Sequence, residues 1–318
     1  VLLSRRKLSR LINKGGENRF CNDFSRELML MVKNRLQKLA AVRLALMILL
    51  LLALARAGLA AGPDLPAKDW NPRQLERLQA PAADKLTFAV LGDSRSNPAV
   101  FEQALKDMAG DPSLTFAIDV GDMVERGTLE QFDAFFKQLK PYRRLPFLTA
   151  TGNHDWGKNR DLTLYRQIFG PDYYAFQLRD NYFIVVNDTE PDGVGEVQWR
   201  WLEKELQQSR PYKTRLVFLH TPLFDPRGGG QHHCLPEAAG RRLAALFRQY
   251  HVTHIFAGHI HSYFTGNWDG VPYTITAGAG APLYGTDPNH FFHHYLKVSL
   301  EDGKVHIEVQ RIKIQGDQ

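Results

Sequence analysis

The sequence predicts an α/β domain of about 230 residues, and three observations predict it. From Lys85 onward, short apolar runs alternate with amphipathic stretches of helical period. Clusters of Gly, Asp, Asn and His directly follow five of the apolar runs, the place where open α/β sheets put their sites. The composition, 44% hydrophobic and 23% charged, is that of a globular chain and excludes a disordered or collagen-like one.

Taken in order, strands are predicted at 86–91, 114–120, 146–150, 173–178, 182–187, 215–219, 254–257 and 273–277. Two more, 295–300 and 304–311, flank Glu301-Asp302-Gly303 and read as a hairpin. Helices are predicted at 98–108, 129–139, 161–169, 196–208 and 236–250. Asn97-Pro98 opens the first of these, with Asn as N-cap and Pro at the first helical position. Residues 61–84 contain Pro63, Pro66, Pro72 and Pro81 and read as a linker with a short helix around 73–78. The domain is thus placed at 85–318, with no internal repeat.

A formal charge of +6 and a pI near 9.2 suggest an acidic partner such as nucleic acid or a membrane surface. Its distribution removes that premise. Residues 1–60 hold twelve Lys/Arg against three acids, a net +9, and residues 61–318 hold 28 against 31, a net −3. No nucleic-acid binding is therefore read from charge. The basic end reads instead as an export signal at 29–60. Lys33, Arg35, Lys38 and Arg43 precede the 12-residue uncharged run 44–55, which is short for a membrane span of about 20 residues. Gly58-Leu59-Ala60 and Leu59-Ala60-Ala61 offer small-x-small cleavage sites. Translation is expected to start at Met29 or Met31, with 1–28 an upstream extension. The mature chain is expected in the periplasm or outside the cell. The competing reading is an uncleaved inner-membrane tether with the domain outside the cytoplasm; Arg56, which interrupts the apolar stretch, counts against it. Cys21 and Cys234 are the only cysteines, so a disulfide scaffold is excluded, and cleavage would leave Cys234 alone.

The chemistry lies at the strand ends. The first strand runs into Gly92-Asp93-Ser94-Arg95, the second into Gly121-Asp122 and on to Glu125, and the third into Gly152-Asn153-His154-Asp155. Two later strands run into His220-Thr221-Pro222 and Gly258-His259-Ile260-His261. Singly, a Gly-Asp is a turn and a lone His a structural hydrogen bonder. Together they make a mixed oxygen and imidazole set suited to Mn, Fe or Zn.

This ordered set, GD, GD, GNHD, H and GHIH over residues 86–278, resembles the calcineurin-like metallophosphoesterase superfamily. The resemblance implies a four-layer αββα sandwich of two mixed β-sheets flanked by helices, with a two-metal centre at the strand C-terminal ends. It implies a phosphoester hydrolase acting on a phosphorylated small molecule or other phosphomonoester or phosphodiester, with a hydroxide bridging two metal ions as nucleophile. Asp122 would bridge the ions, Asn153, His220 and His259 would complete one shell, and Asp93 and His261 would hold the other ion. His154 would stand beside the phosphate as general acid or charge stabiliser, and Asp155 would orient its imidazole. Asp119 reads as a strand-end polar residue. The alternative is a non-catalytic or metal-depleted member that binds a phosphorylated ligand.

One position departs from the family pattern. Where the first motif usually carries a ligating histidine, this sequence has Arg95, which offers donors only. Either Arg95 grips a phosphate oxygen beside a sparser first shell, or the first ion binds weakly. Glu125 could rescue that shell. The glycine-rich segment 225–234 reads as a loop at the site rim, and Trp268, Tyr284 and Gly278-Ala279-Gly280 as pocket elements or core and turns. His251 and His254 read as structural or exposed, and His290, His293, His294 and His306 lie outside the motifs.

Overall fold

The basic and apolar segments at the start of the chain lie on one helix, α1 (Glu17–Ala57), which crosses the expected boundary at residue 28. The computed structural model describes residues 17–57, 65–81, 85–228 and 233–314. The candidate cleavage sites at 58–61 and the centre of the rim loop, 229–232, lie outside the described residues. Among the described residues no helix is long and apolar enough to cross a membrane. The chain divides into two units, Val1–Asp64 and Leu65–Gln318.

In the second unit the order is α2 (Trp70–Glu76), β1 (Leu86–Leu91), α3 (Pro98–Gly110), β2 (Ala117–Asp119), α4 (Leu129–Leu139), a 3-10 turn (Lys140–Tyr142), β3 (Phe147–Thr149), α5 (Thr163–Phe169), β4 (Tyr174–Leu178), β5 (Asn181–Val185), α6 (Glu196–Gln208), β6 (Thr214–Phe218), α7 (Glu237–Gln249), β7 (His254–Ala257), β8 (Tyr263–Trp268), β9 (Val271–Thr276), β10 (His294–Glu301) and β11 (Lys304–Arg311). One sheet has the order β11-β10-β1-β2-β3, the other β4-β5-β6-β7-β9-β8. Both are mixed. β1, β2 and β3 run parallel, as do β5, β6, β7 and β9, while the hairpins β4–β5, β8–β9 and β10–β11 and the long-range pair β1–β10 are antiparallel.

Strand periodicity explains the layering. In β1 every residue is buried, but the two faces go to different cores. Leu86, Phe88 and Val90 enter a cluster shared by both sheets, with Phe116, Phe183, Phe218 and Phe256; Ala89 and Leu91 pack with Phe101 and Leu105 of α3 and Phe135 of α4. A third cluster joins Ile184, Val217 and Ile255 of the other sheet to Leu202 of α6 and Leu243 and Phe247 of α7. Helix, sheet, sheet and helix make four layers, as the resemblance implied. The helices present one apolar face for the same reason. In α3, Val100, Phe101, Ala104, Leu105 and Met108 are buried, and the Asn97 side chain accepts from the Val100 amide with Pro98 at the first turn.

Two expectations need correction. Residues 65–81 are not a linker but part of the domain unit. β3 is the edge of its sheet, and α2 covers that edge. The Thr149 amide donates to Asn71 Oδ1 (3.0 Å), Asn71 Nδ2 donates to the Thr149 carbonyl (3.2 Å), and Trp70 Nε1 donates to the Phe147 carbonyl (2.7 Å). An amide side chain thus stands in for the missing neighbour strand. The second correction is β8, absent from the expected strands. Its residues Tyr263–Trp268 lack clean alternation and three are exposed, yet they pair with β9 across Asp269-Gly270. Both turn residues have positive φ (51° and 94°), the geometry that an Asp-Gly pair favours.

Candidate metal centre

Every motif residue sits just past the C-terminal end of a strand, and the two sheets bring these ends together. Asp93, Asp122 and His259 have left-handed backbones, with φ of 57°, 61° and 67°. Non-glycine residues avoid this region, and its use at three motif positions marks a site where tertiary structure dictates backbone shape. Gly152 permits the loops after β2 and β3 to touch: a Cβ there would stand 2.1 Å from the Asp122 backbone nitrogen.

Two groups of side chains could hold ions: Asp122, His220 and His259 in one, and Asp93, Asp122 and His261 in the other. Asp122 belongs to both, the bridging position assigned from sequence. In the first group, His220 Nδ1 lies 3.0 Å from the Val120 carbonyl and donates to it. This leaves Nε2 with a lone pair facing Asn153 Oδ1 at 3.1 Å, Asp122 Oδ1 at 3.3 Å and His259 Nδ1 at 3.2 Å. Acceptors converging on one point fit a metal cation, and the carbonyl behind the ring fixes its tautomer as metal sites require. The surrounding carboxylates favour positive charge at this point, whether a proton on Nε2 or a metal ion. Burial disfavours charge on His220, but Asp122, Asp93, Asp188 and Asp155 outweigh it and push its pKa up to about 8. Burial and the neighbouring His220 push His259 down to about 3, which keeps it a neutral donor.

The second group is built the same way and then departs. His261 Nδ1 donates to the Pro282 carbonyl at 2.7 Å, so Nε2 carries the lone pair. It faces Asp93 Oδ1 at 3.3 Å and Arg95 Nη2, also at 3.3 Å. Arg95 Nε stands 3.4 Å from Asp122 Oδ2, and Nη1 donates to Glu125 Oε2 at 2.7 Å. Glu125, which could have rescued that shell or served as a loop acid, pairs with the guanidinium and accepts from the Ser96 hydroxyl.

His154 is a member of neither group. Its Nδ1 donates to the Glu125 carbonyl at 2.9 Å, and its Nε2 lies 4.0 Å from Asp122 Oδ2 on the open side of the site. Asp155 does not orient that ring, which corrects the sequence expectation. Its two oxygens accept from the backbone amides of Asp122, Met123, Val124 and Gly152 instead. Burial, then the charge of Asp122, push its pKa up to about 7 against the pull of those amides. Asp155 is thus a positioning residue for the Asp122 loop. Asp119 plays a similar part, accepting from the Ser94 hydroxyl and the Gly121 amide.

Asp188 was missed. It accepts from the His220 and Thr221 amides at 3.0 and 2.9 Å and so anchors the His220 loop. Burial pushes its pKa up to about 6. It follows β5 as the other motifs follow their strands, so the strand-end rule applied to Asn187-Asp188 could have found it. At the rim, the His233 ring lies 6.0 Å from that of His259, and the exposed Tyr284 stacks on His261 at 5.1 Å. Trp268 is core, stacked on Tyr273, and the glycines at 278 and 280 allow close packing against His294 and Ser94. His254 is buried and meets the Thr274 hydroxyl at 3.0 Å. A cavity of about 550 Å³ opens beside Asn153 and His154, lined also by Arg126, Trp156 and Arg160.

Comparison with known proteins identifies the family and the fold. The calcineurin-like phosphoesterase family pattern matches residues 86–263, and the chain belongs to that family. It is 27% identical over 191 residues to the serine/threonine-protein phosphatase CPPED1 of Danio rerio, covering 54% of this chain and 62% of that protein. It is 28% identical to the Fe(3+)-Zn(2+) purple acid phosphatase 12 of Arabidopsis thaliana, over 36% of this chain and 24% of the other. The chain spans less than two thirds of the length of these relatives. Among solved structures, the purple acid phosphatase PPD1 of yellow lupin superposes with a TM-score of 0.60 at 18% identity, covering 74% of this chain and 53% of that one. A dimetal phosphatase of Danio rerio gives 0.55 at 13% identity, covering 72% and 96%.

Proposed function

We propose that this protein is an exported, metal-dependent phosphoesterase that hydrolyses a phosphomonoester or phosphodiester. The acceptor cluster around His220 Nε2 carries the reading, because Asp122, Asn153, His220 and His259 converge on one point while His220 Nδ1 is engaged by the Val120 carbonyl. A metal ion held there supplies Lewis acidity toward a phosphoryl oxygen and lowers the pKa of coordinated water. His154 does what the chain itself can do for the leaving group. Its ring is held through Nδ1, so Nε2 faces the site; as the imidazolium it would give its Nε2 proton to, or stabilise charge on, the departing oxygen and return to the neutral ring. Arg126 and Arg160 beside the adjoining cavity make the approach cationic, which suits an anionic ester. The names of the relatives, phosphatases of several kinds, support the reaction class and leave the substrate open.

The test is turnover of p-nitrophenyl phosphate and bis-p-nitrophenyl phosphate with Mn, Fe, Zn or Mg added to chelator-treated protein. Activity should require metal and vanish in Asp122→Asn. Turnover that survives that substitution would overturn the mechanism. Export rests on the +9 leader and its apolar run. Mass analysis of the protein recovered outside the cytoplasm should show cleavage near residues 58–61, and purely cytoplasmic recovery of the full chain would refute it.

A further inference from the structure

We propose that Arg95 takes the place of the first metal ion, so that the centre works with one metal plus one fixed guanidinium. The proposal rests on the metal-binding reading of the His220 group and concerns only the group of Asp93, Asp122 and His261.

The argument turns on lone pairs. His261 has one on its ring, at Nε2, because Nδ1 donates to the Pro282 carbonyl. Arg95 Nη2 stands 3.3 Å from it, within hydrogen-bond reach. A metal ligand and a hydrogen-bond acceptor cannot be the same lone pair at once. Asp122 Oδ2 faces the same cation, with Arg95 Nε 3.4 Å away in an ion pair that is not a hydrogen bond. Arginine stays protonated and offers only donors, so it cannot yield by losing its charge. Nor is it a loose surface side chain. It is 9% exposed, its Nη1 is held by Glu125 Oε2 at 2.7 Å, and Glu125 is itself braced by the Ser96 hydroxyl. The sequence places Arg95 where the family pattern has a ligand, and the fold puts its cation where an ion would sit.

One atom argues the other way. Asp93 Oδ1 is buried without a hydrogen-bond partner, 3.3 Å from His261 Nε2. A second ion would satisfy it, but only by taking the lone pair and the carboxylate edge that Arg95 faces. The consequence is chemical. A guanidinium gives permanent positive charge and directed donors to an anionic ester, independent of metal supply. It cannot activate water by coordination, so that task falls to the ion of the His220 group.

The test is metal stoichiometry, read without turnover. Apo-protein is dialysed to equilibrium against Mn2+ alone and the bound metal is measured by elemental analysis. Electron paramagnetic resonance then distinguishes an isolated ion from a coupled pair. Wild type should bind one ion per chain with an isolated-ion spectrum. Arg95→His, which restores a ligand, should double the ratio and give a coupled spectrum. Arg95→Ala, which only removes the guanidinium, should admit a second, weaker ion and guards against misfolding of the histidine variant. Two coupled ions in wild type would overturn the proposal. So would a single ion in all three proteins, since something other than Arg95 would then limit the site. No bound ion in any of them would refute the metal-dependent reading as well.

Discussion

His154 has its ring orientation set by one hydrogen bond to a backbone carbonyl, and among the described residues neither candidate metal group includes it. Its removal should therefore separate chemistry from metal binding. His154→Ala is expected to lower kcat by roughly 10²–10⁴-fold, the usual contribution of a positioned proton donor, with the bound-metal ratio unchanged. A parallel loss of metal would show that the side chain is a ligand after all. Asp155 is the opposite case, a residue that reads as catalytic in the string GNHD but spends both oxygens on backbone amides. The motif identified it as indispensable to the site, while its role was invisible because the amides it accepts from belong mostly to a loop about thirty residues away.

Among the elements, α2 and the α5–β4 junction carry separable predictions. Asn71 closes the exposed edge of β3. In Asn71→Ala the Thr149 amide loses its acceptor, and the loss should be roughly 1–3 kcal/mol, read from the urea midpoint. An unchanged midpoint would mean that Tyr165 and Tyr174, which also reach Thr149, cover the edge by themselves. At the junction, Asp172 accepts from Arg166 at 2.7 and 3.0 Å and from Asn187 at 2.7 Å. Burial works to raise its pKa, but Arg166 and Asn187 together hold it below the ordinary value. A depressed folded-state pKa stabilises the protein above the unfolded value, about 3.9, and that stabilisation fades as pH falls through the folded value. Asp172→Asn should be less stable than wild type at neutral pH, with the gap narrowing below about pH 4. A gap that persists undiminished in acid would assign the loss to packing rather than charge.

For the whole molecule, the compact unit begins at Leu65 rather than at the first strand. A chain starting at residue 65 should melt like the longer protein. One starting at residue 85, without Trp70 and Asn71, should melt at a lower temperature, because the β3 edge and the cluster around Trp70 and Phe136 are left open. Equal melting temperatures would restore residues 65–84 to the linker first expected. The charge account belongs to this scale too. The +9 of residues 1–60 and the −3 of the remainder are separate properties, and the second governs the domain.

Apart from β8, the order of strands and helices followed from the sequence alone, as did the strand-end positions of Asp93, Asp122, Asn153, His220, His259 and His261, which the fold brings together. Periodicity reports local shape, and the motif residues carry their oxygen and imidazole chemistry in their side-chain type. The sequence also showed that Arg95 stands at a ligand position. What it could not show was anything resting on residues far apart in the chain. That α2 substitutes for a strand at β3, that Asp155 and Asp188 brace loops, and that Glu125 holds Arg95 against His261 are contacts across about thirty to 170 residues, decided by side-chain packing rather than by local propensity. Tertiary structure alone sets the Arg95 guanidinium against His261 and Asp122, because only the fold brings these distant residues together.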